Sequence, residues 1–249
     1  MELTKSDLHF VLSRTPKDVL RMMRSNAGKL YIAGGFIRAT IAGEHVSDID
    51  LFGTTKEHLQ LIAKDLTLRR KGRYFETKNA LTVLTPTRYP VQFITRWLYS
   101  DARSLLNSFD FTIAQSVIWC EVVNPDEEVL KGKLPKVQFF SLIADNFYAD
   151  LAAKRLTYTS PVREEEAGGS MMRVIKFIKR GYNIQAYSLA AVMTRIFGKV
   201  ILEAIPKDNG FSHEENITAI VTGLLREVDP MIVVDGVDFL DEHEVLKDD

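Results

Sequence analysis

The chain has 249 residues, with 32 Lys and Arg against 33 Asp and Glu, a formal net charge of −1 and 46% hydrophobic residues. That apolar share can fill a sizeable core, which argues against disorder as the general state, while no unbroken apolar run reaches the roughly 18 residues that a membrane span needs. A single cysteine, Cys120, excludes an internal disulfide and any metal site built from several cysteines.

The first residues, MELTKSDLHF, lack a basic start followed by an apolar stretch, so no secretory signal is expected and a reducing cytoplasm fits best. Thr15-Pro16-Lys17-Asp18 predicts a helix start, with a hydroxyl cap, proline in the first turn and an acid near the positive end. Val19, Met22 and Met23 supply its apolar stripe and Gly28 its stop. Leu30 to Ala33 reads as a short buried strand, broken by Gly34-Gly35, and Phe36 to Ile41 as the first turns of a helix. Ser47 to Phe52 alternates polar and apolar residues, the period of a strand, and a helix over about 55–66 follows.

Arg69 to Trp97 is β-rich, Ser100-Asp101 starts a short helix, and Phe111 to Val122 predicts another strand. Beyond Asn124-Pro125, helices are predicted near 137–158, 171–180, 186–203 and 212–226, with Glu164 to Gly169 as a surface linker. The expected fold class is α+β: a mixed sheet with flanking helices over residues 1–135, then a helical part over 136–249. Charge is segregated along this plan. Arg69, Arg70, Lys71, Arg73 and Lys78 form one basic cluster, and Arg173, Lys176, Lys179 and Arg180 a second. Acids gather at Asp235, Asp238, Asp241, Glu242, Glu244, Asp248 and Asp249. Either basic cluster could meet phosphates, or be a solvated face.

The chemistry concentrates between Tyr31 and Phe52. Paired glycines at a strand end let backbone amides approach an anion, and the helix that follows adds its positive end. Arg38, one turn on, could reach a phosphate with its planar fork. Asp48 and Asp50 stand two apart on a predicted strand, so both point to one face, roughly 7 Å apart at Cα. At that spacing two carboxylates can share divalent metals about 3.5–4 Å apart. A phosphate cradle beside a two-carboxylate site suggests a nucleoside triphosphate site.

Gly34-Gly35-Phe36-Ile37-Arg38-Ala39-Thr40-Ile41-Ala42-Gly43 followed by Asp48-Ile49-Asp50 resembles the G-G-x-V-R-D-x-L-x-G and D-x-D motifs of the DNA polymerase β-type nucleotidyltransferase superfamily, in its CCA-adding and poly(A) polymerase branch. Ala39 stands where that family has an acid. The resemblance implies a polymerase β-like nucleotidyltransferase domain in which Asp48 and Asp50 hold Mg2+ and the Gly34-Gly35 backbone holds the triphosphate. Asp110-Phe111-Thr112-Ile113 resembles the D-F-T-I of the motif R-R-D-F-T-I-N-A, with Ser108 and Phe109 replacing its arginines and Ala114 its asparagine. Arg173 and Lys176 resemble the end of the family's base-reading segment, whose acidic and arginine positions are here Glu166, Ala167 and Ser170.

Superfamily members usually hold a third acid on a neighbouring strand. The expected strand, Val91 to Ile94, offers Gln92 instead, which leaves Asp110 and then Glu76 as substitutes. The expected activity is template-independent, Mg2+-dependent transfer of a nucleoside monophosphate from a triphosphate to an RNA 3′-hydroxyl, tRNA-like, by a compact or divergent relative. Two alternatives stay open: nucleotidylation of a protein or small molecule, and a non-catalytic binding or assembly module that keeps the fold. His9, His45, His58, His213 and His243 are scattered and suggest no fused hydrolase.

Overall fold

A computed structural model describes residues 1–123, 136–161, 167–199 and 210–226. The chain divides into two compact units, Met1–Ala153 and Lys154–Asp249.

In the first unit, α1 (Lys5–Arg14) is capped by Thr4, whose hydroxyl oxygen accepts the Asp7 N–H at 3.1 Å, and α2 spans Lys17–Ser25. Pro16 is the N-cap of α2, and the Thr15 hydroxyl donates back to Val11 O at 2.9 Å. The expected hydroxyl cap of α2 is therefore corrected: Thr15 finishes α1 instead. Then follow β1 (Leu30–Ala33), α3 (Gly35–Ala42), β2 (Ile49–Gly53), α4 (Lys56–Arg70), β3 (Arg73–Glu76), β4 (Ala80–Thr85), β5 (Arg88–Ile94), α5 (Ala102–Asn107), a 3-10 turn (Thr112–Ala114), β6 (Ser116–Val123), β7 (Lys136–Ile143) and α6 (Phe147–Ala152).

The strands form one mixed sheet in the order β3-β4-β5-β2-β1-β6-β7, in which β2 and β5 run parallel and the other pairs antiparallel. Register and the period of 2 sort the side chains between two faces. Ile32, Leu51, Phe93 and Ile118 share one face and are fully buried. Leu59 of α4 meets Gly53 there, and the Cys120 thiol donates to Met23 O of α2 at 3.2 Å, so α2 and α4 cover that face. Burial pushes the Cys120 thiol up to about 11. The opposite face carries Tyr31, Phe52 and Val117, on which Leu105 and Leu106 of α5 pack.

Three sequence expectations change here. Residues 136–143 form a strand antiparallel to β6, not the start of a helix over 137–158. That pairing and α6 belong to the first unit, so the unit boundary falls at 153–154 rather than at 135. The strand expected from Phe111 begins at Ser116, after the 3-10 turn.

The second unit has a two-stranded parallel pair, β8 (Arg155–Leu156) with β9 (Asn183–Ile184), and α7 (Ala167–Lys179), α8 (Ala186–Lys199) and α9 (His213–Arg226), with α8 and α9 both packing on α7. Ala167 to Gly169, expected as linker, are helical. The acidic run from Asp235 onward lies outside the described residues.

The back of the sheet is tied by one buried guanidinium. Arg70, last residue of α4, has a fully buried side chain; Nε and Nη2 donate to Asp18 Oδ2 and Oδ1 at 2.8 and 3.1 Å, and Nη1 to Tyr89 O at 3.1 Å. Arg88 joins the same carboxylate at 2.8 Å. Burial raises the Asp18 carboxyl, but its bonds and charge pairing with Arg70, the Val19 amide and Arg88 outweigh that and hold it below the usual carboxylate range. Such a group contributes stability above its unfolded pKa, lost as pH falls through the folded one. Asp18→Asn, which leaves the Arg70 charge buried, is expected to cost about 2–4 kcal/mol at neutral pH. In urea unfolding, the gap to the native chain should shrink as pH drops below the carboxylate range; a constant gap would show that the charge pair contributes nothing.

Candidate active site

The site forms where β1 leaves the sheet and β2 enters it. Ile32 pairs with Leu51, so one step further Ala33 faces Asp50 and the Gly34–Gly35 turn rises beside it. Gly34 holds φ 73° and ψ −120°, a backbone state open in practice to glycine alone. Its N–H donates to Ser116 O at 2.9 Å, and the first intrahelical bond of α3 runs from Arg38 N–H to Gly34 O at 3.2 Å. The amides of Gly35, Phe36 and Ile37 precede that bond and have no acceptor within α3. Gly35 is exposed, and a Cβ there would meet nothing within 4 Å. The amides of the turn left without a backbone acceptor are thus those of Gly35 and the helix start, while the Gly34 amide is engaged by β6.

Arg38 does not project into solvent. It is 3% exposed and ion-pairs with Glu44, just past Gly43. The acid that position 39 lacks is supplied from position 44. The guanidinium that was expected to reach a phosphate is thus buried beside α3 and paired with a carboxylate. Its signal in the sequence was an acid beside the helix stop, and it was missed.

Asp48 stands one residue before β2 and is partly exposed; Asp50 is the second residue of the strand and also partly exposed. The Ser47 hydroxyl donates to Asp48 Oδ1 at 2.9 Å. Across the parallel pair Asp50 stands opposite Gln92, and Gln92 opposite Thr82, so the three share one face. The neighbouring-strand position thus holds a neutral amide. Glu76 lies elsewhere: Phe75, opposite Thr82, is on the Asp50 face, and Glu76 turns to the other one. There it accepts from Gln60 Nε2 at 3.1 Å and Tyr74 OH at 3.2 Å and pairs with Lys56 at 3.6 Å. Asp110, 4% exposed, sits in the bend before the 3-10 turn rather than at the start of a strand. Among the described residues no three of His, Cys, Asp or Glu form a metal cage. Two carboxylates at a strand end suit one Mg2+ held jointly with phosphate oxygens, which is how that ion is commonly bound.

Phe109, not singled out beyond its place in the motif, is part of this site. A Cβ on Gly34 would lie 3.0 Å from Phe109 Cε1, so the ring packs on the glycine, and it meets Phe52 edge-to-face at 6.0 Å. Phe52 meets Tyr99 the same way at 6.1 Å. Arg173 and Lys176 lie on α7, in the second unit.

A sheet with helices behind it and a glycine turn beside two strand-end aspartates defines the class: the nucleotidyltransferase-like fold. Solved structures sharing it include the Thermotoga maritima CCA-adding enzyme complexed with tRNA-CCA (TM-score 0.53, 16% identity, covering 90% of this chain and 51% of that one). Others are a CCA-adding enzyme with ATP (0.52, 18%, 90% and 50%) and one with CTP (0.51, 16%, 90% and 50%). The chain spans about half the length of these proteins, and at such identities the likeness shows the fold. The family model "Gabija anti-defense 2 family protein" (Gad2) matches residues 2–154, and the chain belongs to that family. No curated protein matches it.

Gly34→Ala adds left-handed strain to a contact already tight and is expected to cost at least about 2 kcal/mol of unfolding free energy. Combined with Phe109→Ala, the ring contact is relieved and only the strain remains. The double variant should therefore lose less than the sum of the singles in urea titrations. Strict additivity would mean that ring and glycine do not touch.

Proposed function

We propose that the chain is a Mg2+-dependent nucleotidyltransferase that moves a nucleoside monophosphate from a triphosphate to an acceptor hydroxyl, and that it does so against the Gabija defence named by its family. The observation that carries this reading is the placement of Asp48 and Asp50 at the start of β2 beside the unpaired amides of α3. Asp48 and Asp50 would hold Mg2+, which when bound supplies charge neutralisation on the phosphates and a lowered pKa for the attacking hydroxyl. The amides of Gly35 and Phe36 would bind phosphate oxygens at the positive end of α3. The acceptor hydroxyl gives up its proton to water as its oxygen forms a bond to the α-phosphorus, the bond to the bridging oxygen breaks, and pyrophosphate leaves with that electron pair. The Arg38–Glu44 pair keeps α3 aimed at that point without touching substrate.

An RNA 3′-hydroxyl is the acceptor favoured by the tRNA-bound neighbour, with Arg173 and Lys176 as candidate contacts to RNA or triphosphate. Family membership favours a hydroxyl on a component of the Gabija system instead. A non-catalytic reading draws support from Gln92 opposite Asp50 and from Phe109 on Gly34: an amide adds no charge to hold a second metal, and the ring narrows the turn.

One assay separates these. Purified chain, Mg2+ and each labelled triphosphate are incubated with total RNA or with purified Gabija proteins. Asp48→Asn or Asp50→Asn should abolish label transfer while leaving the circular dichroism and urea midpoint unchanged, because each removes a metal ligand worth several kcal/mol in the transition state. A variant with near-native activity would remove the proposal. Gln92→Asp and Asp110→Asn complete the set. If Gln92→Asp alone creates activity, the natural chain lacks the third acid and binds without transferring. If the acceptor is RNA, binding should fall steeply with salt, and charge reversal at Lys176 and Arg180 should weaken RNA binding but not triphosphate binding.

A further inference from the structure

The other face of the sheet carries a feature that nucleotidyl transfer does not use. There α2 and α4 are joined at both ends: Asp18 holds Arg70 at one, and His58 Nε2 lies 2.9 Å from Asn26 Oδ1 at the other. Between these clamps a cleft of about 510 Å3 stays open, within the roughly 300–1,000 Å3 range of ligand clefts. Met22, Ile62 and Leu66 give it aliphatic walls, and Leu61, 71% exposed, stands on its rim. Arg21, Arg69 and Arg88 surround it. The two aspartates that also line it are already matched, Asp18 by Arg70 and Arg88, and Asp65 by Arg69 at 2.8 Å. Arg21 has no carboxylate within ion-pair distance among the described residues. Arg69 and Arg88 stay more than half exposed beside those pairs, so three arginines against two aspartates leave the lining net positive around an apolar floor.

We propose that this cleft docks an acidic, amphipathic segment of a partner protein, with leucine-like side chains on Met22, Ile62 and Leu66 and carboxylates against Arg21, Arg69 and Arg88. Charge and shape choose a protein over a nucleic acid. Separate carboxylates can meet the arginines while avoiding Asp18 and Asp65, whereas a continuous phosphate backbone would pass both acids. The lining also has no aromatic ring on which a base could stack. A groove between two helices with spaced apolar contacts is a common way to hold a partner helix. Arg69, from the first basic cluster in the sequence, thereby faces a partner and not an RNA acceptor. The cleft lies wholly within residues 18–88, inside the stretch that matches the Gad2 family, and it does not depend on catalysis at Asp48 and Asp50.

The test uses the full chain and three labelled probes: a synthetic helix with Leu at i, i+4 spacing and Glu between, the same helix with Lys for Glu, and a single-stranded RNA. Fluorescence anisotropy should show binding of the Glu/Leu helix in preference to the Lys/Leu helix, and hydrogen exchange should slow on α2 and α4. Arg21→Glu with Arg69→Glu, and separately Leu61→Asp, should each weaken that binding at least about tenfold, and Arg21→Lys with Arg69→Lys should restore part of it. All these side chains are exposed, so an unchanged urea midpoint separates lost docking from lost folding. Asp48→Asn should bind the helix as the native chain does, whatever happens to transfer. No binding of the Glu/Leu helix, equal binding of the Lys/Leu helix, indifference to the substitutions, or RNA as the ligand that Arg21 and Arg69 govern would each overturn the assignment.

Discussion

The guanidinium of Arg70 is where three elements meet. It closes the end of α4, reaches Asp18 on α2 and holds the Tyr89 carbonyl of β5. A parallel strand pair needs a crossover, and the stretch from β2 through α4, β3 and β4 to β5 provides it. The far end of α4 is thereby tied to β5, and a slip of one residue in β5 would turn Gln92 away from the face that carries Asp50. The placement of Asp50 and Gln92 on the front of the sheet thus leans on a charge buried at its back. A buried pair of this kind is costly to break, whether or not it stabilises the fold relative to apolar packing.

Local features were legible in the sequence. Gly34-Gly35 followed by a helix, and Asp50 alternating with buried Ile49 and Leu51, follow from short-range rules and appear as expected. Lys136 to Ile143 was not legible as a strand, because Val137, Phe139, Phe140, Leu142 and Ile143 show neither clean alternation nor a clean helical stripe. Only pairing with β6, whose register no local pattern encodes, decides it. Phe109 escaped for a related reason: its partner Gly34 lies far away in sequence, and nothing near Phe109 announces the contact. Arg38 reads as within reach of a phosphate from its place one turn into the helix, and its pairing with Glu44, a few residues on, was not foreseen.

These departures change the electrostatics of the site in one direction. Compared with the motif that it resembles, this chain keeps two carboxylates, withdraws an arginine into an ion pair, and presents an amide and a phenyl ring where an acid and an arginine stand. The face around Asp50 thus carries fewer charged side chains than that motif would place there. What remains is the set of amides at the start of α3 without an intrahelical acceptor, which needs only backbone.

Cys120 offers a different use of the same fold. Its thiol is buried between β6 and α2, donates to Met23 O, and ionises only at about 11. Since the thiolate is the nucleophile, a neutral-pH alkylating or disulfide-exchange reagent meets almost none of it while α2 stays docked. Being the only sulfhydryl in 249 residues, it reports one event without interference, the lifting of α2 from the sheet. The rate at which a colorimetric thiol reagent consumes it is a clock for the opening of the helix that also forms one wall of the rear cleft.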